Sequence, residues 1–434
     1  MKTIAKILAV IAAAACMAVV GIGCGPKGYV DKSNAVELGA FDRPDYAREM
    51  EEKHDREGRE HIEIPDGAGT ITIDGEEYIP ISTLREMDQP HKNYIMKCDI
   101  DLNGTTGNIG TFSYPFHNKF NGNNYKFYGR QCTAIFGKLE GAEISNVILS
   151  SKLENTGVWH DTRYSGSILA DFTRNSVFKN CINYAKAGKG DNGQMKGLIG
   201  ELVDGTVENC INYADMQASS GMVNTAFGDF VIKNCENYGN ISSGGSCSGI
   251  LCYSTEVYSE AVYDYYNEEV EKLLHYTNGI VENCKNYGKL IGKSNLSGIV
   301  GEITHFENIA DDQNDIKKYD EVLPMEKMLE KSRLLVKNCE NHGDLYRIKD
   351  MDISMSGCGG IIGMGGDVEG CLNSGAIYGL ESLPPENMME SLCRYVGGIA
   401  GAACSVTDCD STTELQISPQ VFCYDKICGY IIKR

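Results

Sequence analysis

A single tryptophan among 434 residues, beside 49 glycines and 42% hydrophobic content, gives this chain little with which to fill a large globular core. A thin, repetitive core suits it better. No Cys-x-x-Cys pair occurs among the 18 cysteines, so a zinc site built on paired thiolates is not indicated. His-Glu-x-x-His is missing from the surroundings of all eight histidines, which removes zinc-peptidase chemistry. Basic charge is in deficit: 40 Lys and Arg stand against 60 Asp and Glu, for a net charge of -20. Nucleic acid and anionic membrane surfaces need basic patches that release counterions, so neither is an expected partner. A bound partner would be neutral, cationic or metal-bridged. No cofactor is expected.

What the chain has instead is repetition. A small-x-x-small block recurs at Ala134–Gly137, Ser167–Ala170, Gly197–Gly200, Gly249–Cys252, Gly298–Gly301, Gly360–Gly363 and Gly398–Gly401. A second block, Asn-Cys or a close variant, recurs at Cys181, Cys210, Cys235, Cys284, Cys339, Cys371 and Cys409. The step from Cys181 to Cys210 is 29 residues and the next, to Cys235, is 25. Periods of this size mark stacked arrays in which no unit buries its own apolar face. The apolar runs are short, β-branched and bounded by Gly and Asn, which favours strands over helices. Strict alternation fails at Val207 to Asn212, because Asn209 would share a face with Val207 and Ile211. A bend with Asn209 in the left-handed region accounts for that. The expected fold is all-β: a right-handed parallel β-helix of about eight coils, with small helical insertions and an N-terminal cap. The handedness follows general preference.

The Gly197–Gly200 block and its copies resemble the GLUG repeat. The segments opening at Asp99, Phe120 and Phe136 resemble the sequence that precedes such repeats in many bacterial surface proteins. The resemblance covers about residues 70 to 410. It implies the architecture and a surface or extracellular location, and says little about activity.

Lys2 and Lys6 precede an apolar run from Ile7 to Ile22, the layout of a secretory signal. Cys24 follows Gly21-Ile22-Gly23 and is the expected lipidation site of a bacterial lipoprotein, which would be the chain's one link to a membrane. Gly21 departs from the Leu or Val usual at that position. The expected organisation is a signal peptide over 1–24, a polar tether over 25–66, a cap and first coil over 67–130, repeats over 131–410 and a C-terminal cap over 411–434. Within 67–130, Asp74-Gly75 suggests a hairpin and Ser82 to Glu86 a short capped helix. No cell-wall sorting motif stands at Lys433-Arg434.

Export and 18 cysteines would usually imply disulfides. The seven repeat cysteines, however, share one position, and stacked parallel side chains fit disulfide torsions poorly. Buried free thiols are expected. Cys423 and Cys428 are the pair best placed to bridge.

Insertions fall at 253–279, 304–333 and 380–394. The first two leave between the same two strands of consecutive coils and should sit side by side. The first carries Tyr258, Tyr263, Tyr266 and Tyr276 among acidic residues, with Tyr258, Tyr263 and Tyr266 spaced close to one helical face. These tyrosines either pack the lobe onto the coil or contact a glycan or protein ligand. Asp99-x-Asp101-x-Asn103-Gly104 begins like a calcium loop but has Gly110 where Glu is needed, and reads better as strand. Asp311 to Asp315 is an acidic run without the required glycine. Gly245 to Gly249 resembles a nucleophile elbow centred on Cys247, yet Cys358 recurs at the same repeat position, which marks a structural residue.

The expected function is recognition of a glycan or of a host or neighbouring-cell protein at a bacterial surface, without enzymatic activity and with no catalytic residues or metal. A polysaccharide lyase or glycoside hydrolase, and a structural spacer, are the alternatives.

Overall fold

The computed structural model describes residues 40–89, 91–103, 109–111, 113–131, 133–155, 166–186, 196–255, 257–263, 269–304, 333–347, 356–380, 394–413, 415–417 and 423–431. The described chain is nearly all β. One turn of the repeat shows the plan. It runs through Asn278–Glu282, Lys285–Asn286, Leu290–Gly292, Leu296–Ser297 and Val300–Thr304 before Arg333–Lys337 starts the next turn beside Asn278–Glu282. Each strand joins a different sheet, so successive turns build sheets of twelve, ten, five, five and nine strands, which we number first to fifth in that order. Within these stacks every pairing is parallel except the opening hairpin of Ile71–Ile73 on Glu76–Ile81. The result is solenoid-like. The nine-stranded fifth sheet, which holds the small-x-x-small blocks, exceeds the expected eight coils by one strand, Cys428–Ile431.

The corner between first and second sheets explains the Asn-Cys block. Asn180, Asn209, Asn234, Asn283 and Asn338 all have φ between 51° and 54°, the left-handed region that Asn tolerates. Asp408 and Gly370 take the same corner in the last turns. Just past it the cysteine points inward. Cys210, Cys235, Cys284 and Cys339 are fully buried, and each thiol donates to the carbonyl two residues back, at 3.3 to 3.5 Å. They are free thiols, as expected. The side chain of Cys423 lies outside the described residues, and so does the expected Cys423–Cys428 bridge.

Two residues beyond each cysteine stands a second column that the motif alone did not reveal. Asn183, Asn212, Asn237, Asn286, Asn341 and Asn373 are each 0% exposed. Every amide from Asn183 to Asn341 donates to the side-chain oxygen of the next, at 2.7 to 2.8 Å. The second amide hydrogen goes to the carbonyl two residues on, as from Asn286 to Gly288 at 3.0 Å. Buried polar groups are costly unless paired, and here each turn supplies the partner for its neighbour. A Cβ at Gly288 would sit 1.9 Å from the Gly239 carbonyl of the preceding turn, which accounts for the glycine.

On the outer face of the first sheet, the residue before the corner alternates in sign over six successive turns. Lys179, Glu208, Lys233, Glu282, Lys337 and Glu369 are successive register partners. Lys233 meets Glu208 at 3.2 Å and Lys337 meets Glu282 at 3.0 Å. Opposite charges directly across a ladder favour this register over a slipped one.

The opening elements fall where expected. Asp74 and Gly75, with φ of 50° and 84°, turn the first hairpin, and Thr83 and Glu86 form a reciprocal capping box on Leu84–Glu86. Residues 40–62, which fall in the segment expected as a polar tether with a possible charged helix, lie against the stack. Their helix, Tyr46–Glu57, buries Ala47 and Glu51 and half-buries Tyr46 and Met50 against the core. Charge density suggested a solvated chain, but one face of the helix is apolar enough to dock. At the other end, Leu415–Ile417, Cys423–Asp425 and Cys428–Ile431 continue three of the sheets, so the described part of 411–434 is further sheet rather than a separate cap.

The first two insertions leave side by side, since Thr255 pairs Thr304 at their start and Asn278 pairs Arg333 at their end. The first is not helical. Val257–Tyr263 and Glu269–Tyr276 form an antiparallel hairpin, in keeping with the strand preference of its Val and Tyr residues. The interior of the second, 305–332, lies outside the described residues, as does that of the third, 381–393.

Candidate binding surface

The residue after each buried asparagine points outward and builds a column of rings. Tyr184 stacks on Tyr213 with centroids 5.3 Å apart and planes 6° from parallel. Tyr213 stacks on Tyr238 at 5.0 Å, Tyr238 on Tyr287 at 4.6 Å and Tyr287 on His342 at 5.1 Å. The strand spacing makes this geometry nearly automatic, since identical positions on neighbouring parallel strands lie about 4.8 Å apart. Ring faces are largely consumed within the column, which therefore shows the solvent ring edges and polar tips. At Ser374 the column ends, leaving the far side of His342 beside small residues, with His342 Nδ1 at 2.8 Å from Ser374 Oγ.

Cover differs along the column. Tyr184 is 0% exposed and Tyr213 8%, while Tyr287 is 38% exposed. The covering comes from residues 40–62. His54 Nδ1 lies 2.6 Å from the Tyr184 hydroxyl, and its ring centroid is 5.3 Å from that of Tyr213. Burial pushes the Tyr213 hydroxyl up to about 12, with the neighbouring Tyr184 adding to it, so it stays a neutral donor at any ordinary pH.

Polar groups border the uncovered part. Tyr238 donates to Glu236 at 2.7 Å, Lys285 pairs Glu340 at 3.1 Å, and His342 Nε2 lies 2.9 Å from Glu340. His342 and Lys285 together hold the Glu340 carboxyl below the usual carboxylate range. On the adjoining third sheet a second pair of rings, Tyr346 and Tyr378, stacks at 4.9 Å. Phe41 lies 4.5 Å from Tyr346, and Lys289 Nζ sits 4.8 Å from the Phe41 centroid. This surface combines amphipathic rings, charge-neutral pairs and hydroxyl donors in rows that follow the stack axis.

The residues singled out beforehand lie elsewhere. Tyr258 and Tyr276 occupy adjacent pairs of the projecting hairpin, opposite His275 and Val257 respectively, and Tyr263 pairs Glu269. Tyr276, at the hairpin's root, is 38% exposed. Strand pairing replaces the single helical face inferred from the spacing. Tyr266 and Cys24 lie outside the described residues, as does the acidic run 311–315. A signal for the ring column was present in the sequence: Asn-Tyr or Asn-His follows Cys by two residues at five successive turns.

The elbow-like and calcium-loop-like motifs take up positions within the stack. Cys247 and Cys358 flank Leu296 in the fourth sheet, are fully buried, and burial pushes the Cys358 thiol up to about 12. Asp99, Asp101 and Asn103 accept backbone N–H groups of Lys126, Asn103 and Arg130, at 2.9 to 3.0 Å. They cap strands. Among the described residues no group of His, Cys, Asp and Glu is placed to hold a metal, and no helix is long and apolar enough to cross a membrane.

No protein-family model matches the chain, and no curated protein matches it. Among solved structures it is similar to a candidate immunoglobulin A1 protease from Bacteroides ovatus, at 15% identity and a TM-score of 0.34, over 76% of this chain and 85% of that one.

Proposed function

We propose that this chain is an exported bacterial surface protein, anchored by lipid at Cys24, whose right-handed parallel β-helix of the GLUG-repeat kind binds a neutral, hydroxyl-rich glycan. The observation that carries the reading is the ring column at its uncovered end, where Tyr287 and His342 run beside the row of Glu236, Lys285 and Glu340. Ring edges and hydroxyl tips beside paired charges suit sugar hydroxyls, and the acidic surface disfavours polyanionic glycans. The hairpin lobe, with Tyr258, Tyr263, Tyr266 and Tyr276, is a second contact region, for the same ligand or for a host or neighbouring-cell protein. The reading involves no catalysis. A glycan array probed with residues 25–434 tests it. Discrete binding to neutral glycans that disappears in Tyr287→Ala/His342→Ala supports this surface, and binding lost only on replacing the lobe by a short turn moves the site there. Absence of any glycan binding rejects the reading.

One observation favours polysaccharide hydrolysis as the second reading. Burial pushes the Asp171 carboxyl up to about 6, and Asp171 Oδ2 is buried without a hydrogen-bond partner. Glu201 on the adjoining strand is also raised by burial, and half-buried Lys196, which feels both carboxylates, is lowered. Release of reducing ends from neutral polysaccharides, abolished by Asp171→Asn, is the result that would favour it.

A further inference from the structure

We propose that residues 40–62 are a strap that competes with the glycan for the aromatic column, so that the binding surface is longer than its exposed part; this rests on the glycan reading above. The strap runs along the stack, against the direction in which the turns advance. Its start reaches late turns, with Phe41 against Tyr346 and the Phe41 carbonyl accepting from Asn240 at 2.5 Å. Arg43 then pairs Asp215 at 2.7 Å and donates to the Tyr238 carbonyl at 2.7 Å. Lys186 donates to the Pro44 carbonyl at 2.7 Å. Further along, Glu51 accepts from Ser151 and pairs Lys126 at 3.1 Å. Its far end reaches early turns, where His61 stacks on Tyr125 at 4.1 Å and Asn123 accepts from the Ile62 N–H at 2.7 Å.

Two properties make this a releasable cover. The contacts are mostly ion pairs and hydrogen bonds, which water can replace, and the helix fully buries only Ala47 and Glu51. That contrasts with the stack interior, where apolar side chains and thiols fill every turn. A helix of 12 residues is also marginal on its own, so release converts the strap from ordered to unfolded and is favoured by the chain entropy regained. The rings beneath match those outside, since Tyr184 and Tyr213 are parallel continuations of Tyr238 and Tyr287.

The geometry therefore yields two binding lengths. A short glycan meets Tyr287 and His342 without touching the strap. A long one gains Tyr213 and Tyr184 only by displacing residues 40–62, and its apparent affinity is lowered by the fraction of molecules in which the strap is docked.

The full chain carrying Arg43→Ala and Glu51→Gln tests this, with cellobiose and cellohexaose as neutral probes and tetranitromethane nitration of tyrosines mapped by peptide mass. Release predicts that Tyr184 becomes nitrated, that cellohexaose binds about tenfold more tightly than to the native chain, and that cellobiose binds both alike. Tyr184 remaining protected, or equal gains for both sugars, overturns the strap. If Tyr184 becomes reactive while neither sugar binds either protein, the cover is releasable but the glycan reading fails and the competition with it. Should the double variant not fold, amide exchange over Tyr46–Glu57 in the native chain decides: cellohexaose speeding it supports the proposal, and no change with bound cellohexaose overturns it.

Discussion

Asn286 and Tyr287 are neighbours in sequence and belong to two columns of opposite character. The inner column is uniform, with Asn at six successive turns, all fully buried and bonded end to end. The outer column changes as it advances, from Tyr through His342 to Ser374, and its cover changes with it, from none of Tyr184 exposed to 38% of Tyr287. A position whose chemistry is dictated by its neighbours above and below holds the register. One whose chemistry drifts while the backbone stays constant is available for recognition.

Substitutions separate the two. Asn286→Ala strands the amide hydrogen of Asn237, the side-chain oxygen of Asn341 and the Gly288 carbonyl, so it should cost about 3 kcal/mol or more, read as a fall in the denaturation midpoint. An equal loss for Tyr287→Ala would erase the distinction; we expect the latter to cost under about 1 kcal/mol while weakening glycan binding. Intermediate in size is Lys233→Glu on the first sheet, which places like charges opposite both Glu208 and Glu282. It should destabilise by about 1 kcal/mol in low salt, and added salt should restore most of that.

Acid sharpens the contrast within the outer column. Burial lowers the His54 imidazole from its usual 6.5, Arg59 and Lys53 adding to this while Glu57 and Asp55 oppose it; Tyr184 and Tyr213 are the groups facing it from the stack. Burial raises the Glu51 carboxyl, but hydrogen bonds from Ser151, Ser150 and Lys126 outweigh it and hold the group below its usual 4.5. Both groups are lowered on docking, so their contribution is complete above the undocked values and drains as pH falls. Strap cover should begin to weaken below about pH 6.5 and more steeply below about 4.5, seen as amide exchange over Tyr46–Glu57 rising toward its unprotected rate at each pH. Protection of the sheet amides should persist over the upper part of that range.

The sequence disclosed the corners and hid the faces. Asn209 betrayed its left-handed bend because strict alternation broke there, and the Cys ladder was visible because a thiol recurs at a fixed offset. Two of the five strands in each turn were legible, those built on Gly-Ile-Val-Gly and on Val-x-Asn-Cys. The others are two or three residues long, too short for any periodicity to register. The asparagine two places after cysteine reads as a polar loop residue, since only stacking reveals that it faces inward and is satisfied. The strap was illegible for a related reason. Its charges suit solvent, and its contacts lie far along the chain, 199 residues away between Phe41 and Asn240 and farther still between Phe41 and Tyr346.

The alternation of Lys179, Glu208, Lys233, Glu282, Lys337 and Glu369 has a consequence for how such an array can lengthen. Copying one turn into the stack would set two like charges face to face at the new junction, whereas copying two adjacent turns together leaves every junction with opposite signs. The charge pattern thus favours growth by pairs of turns, and what it constrains is parity rather than length.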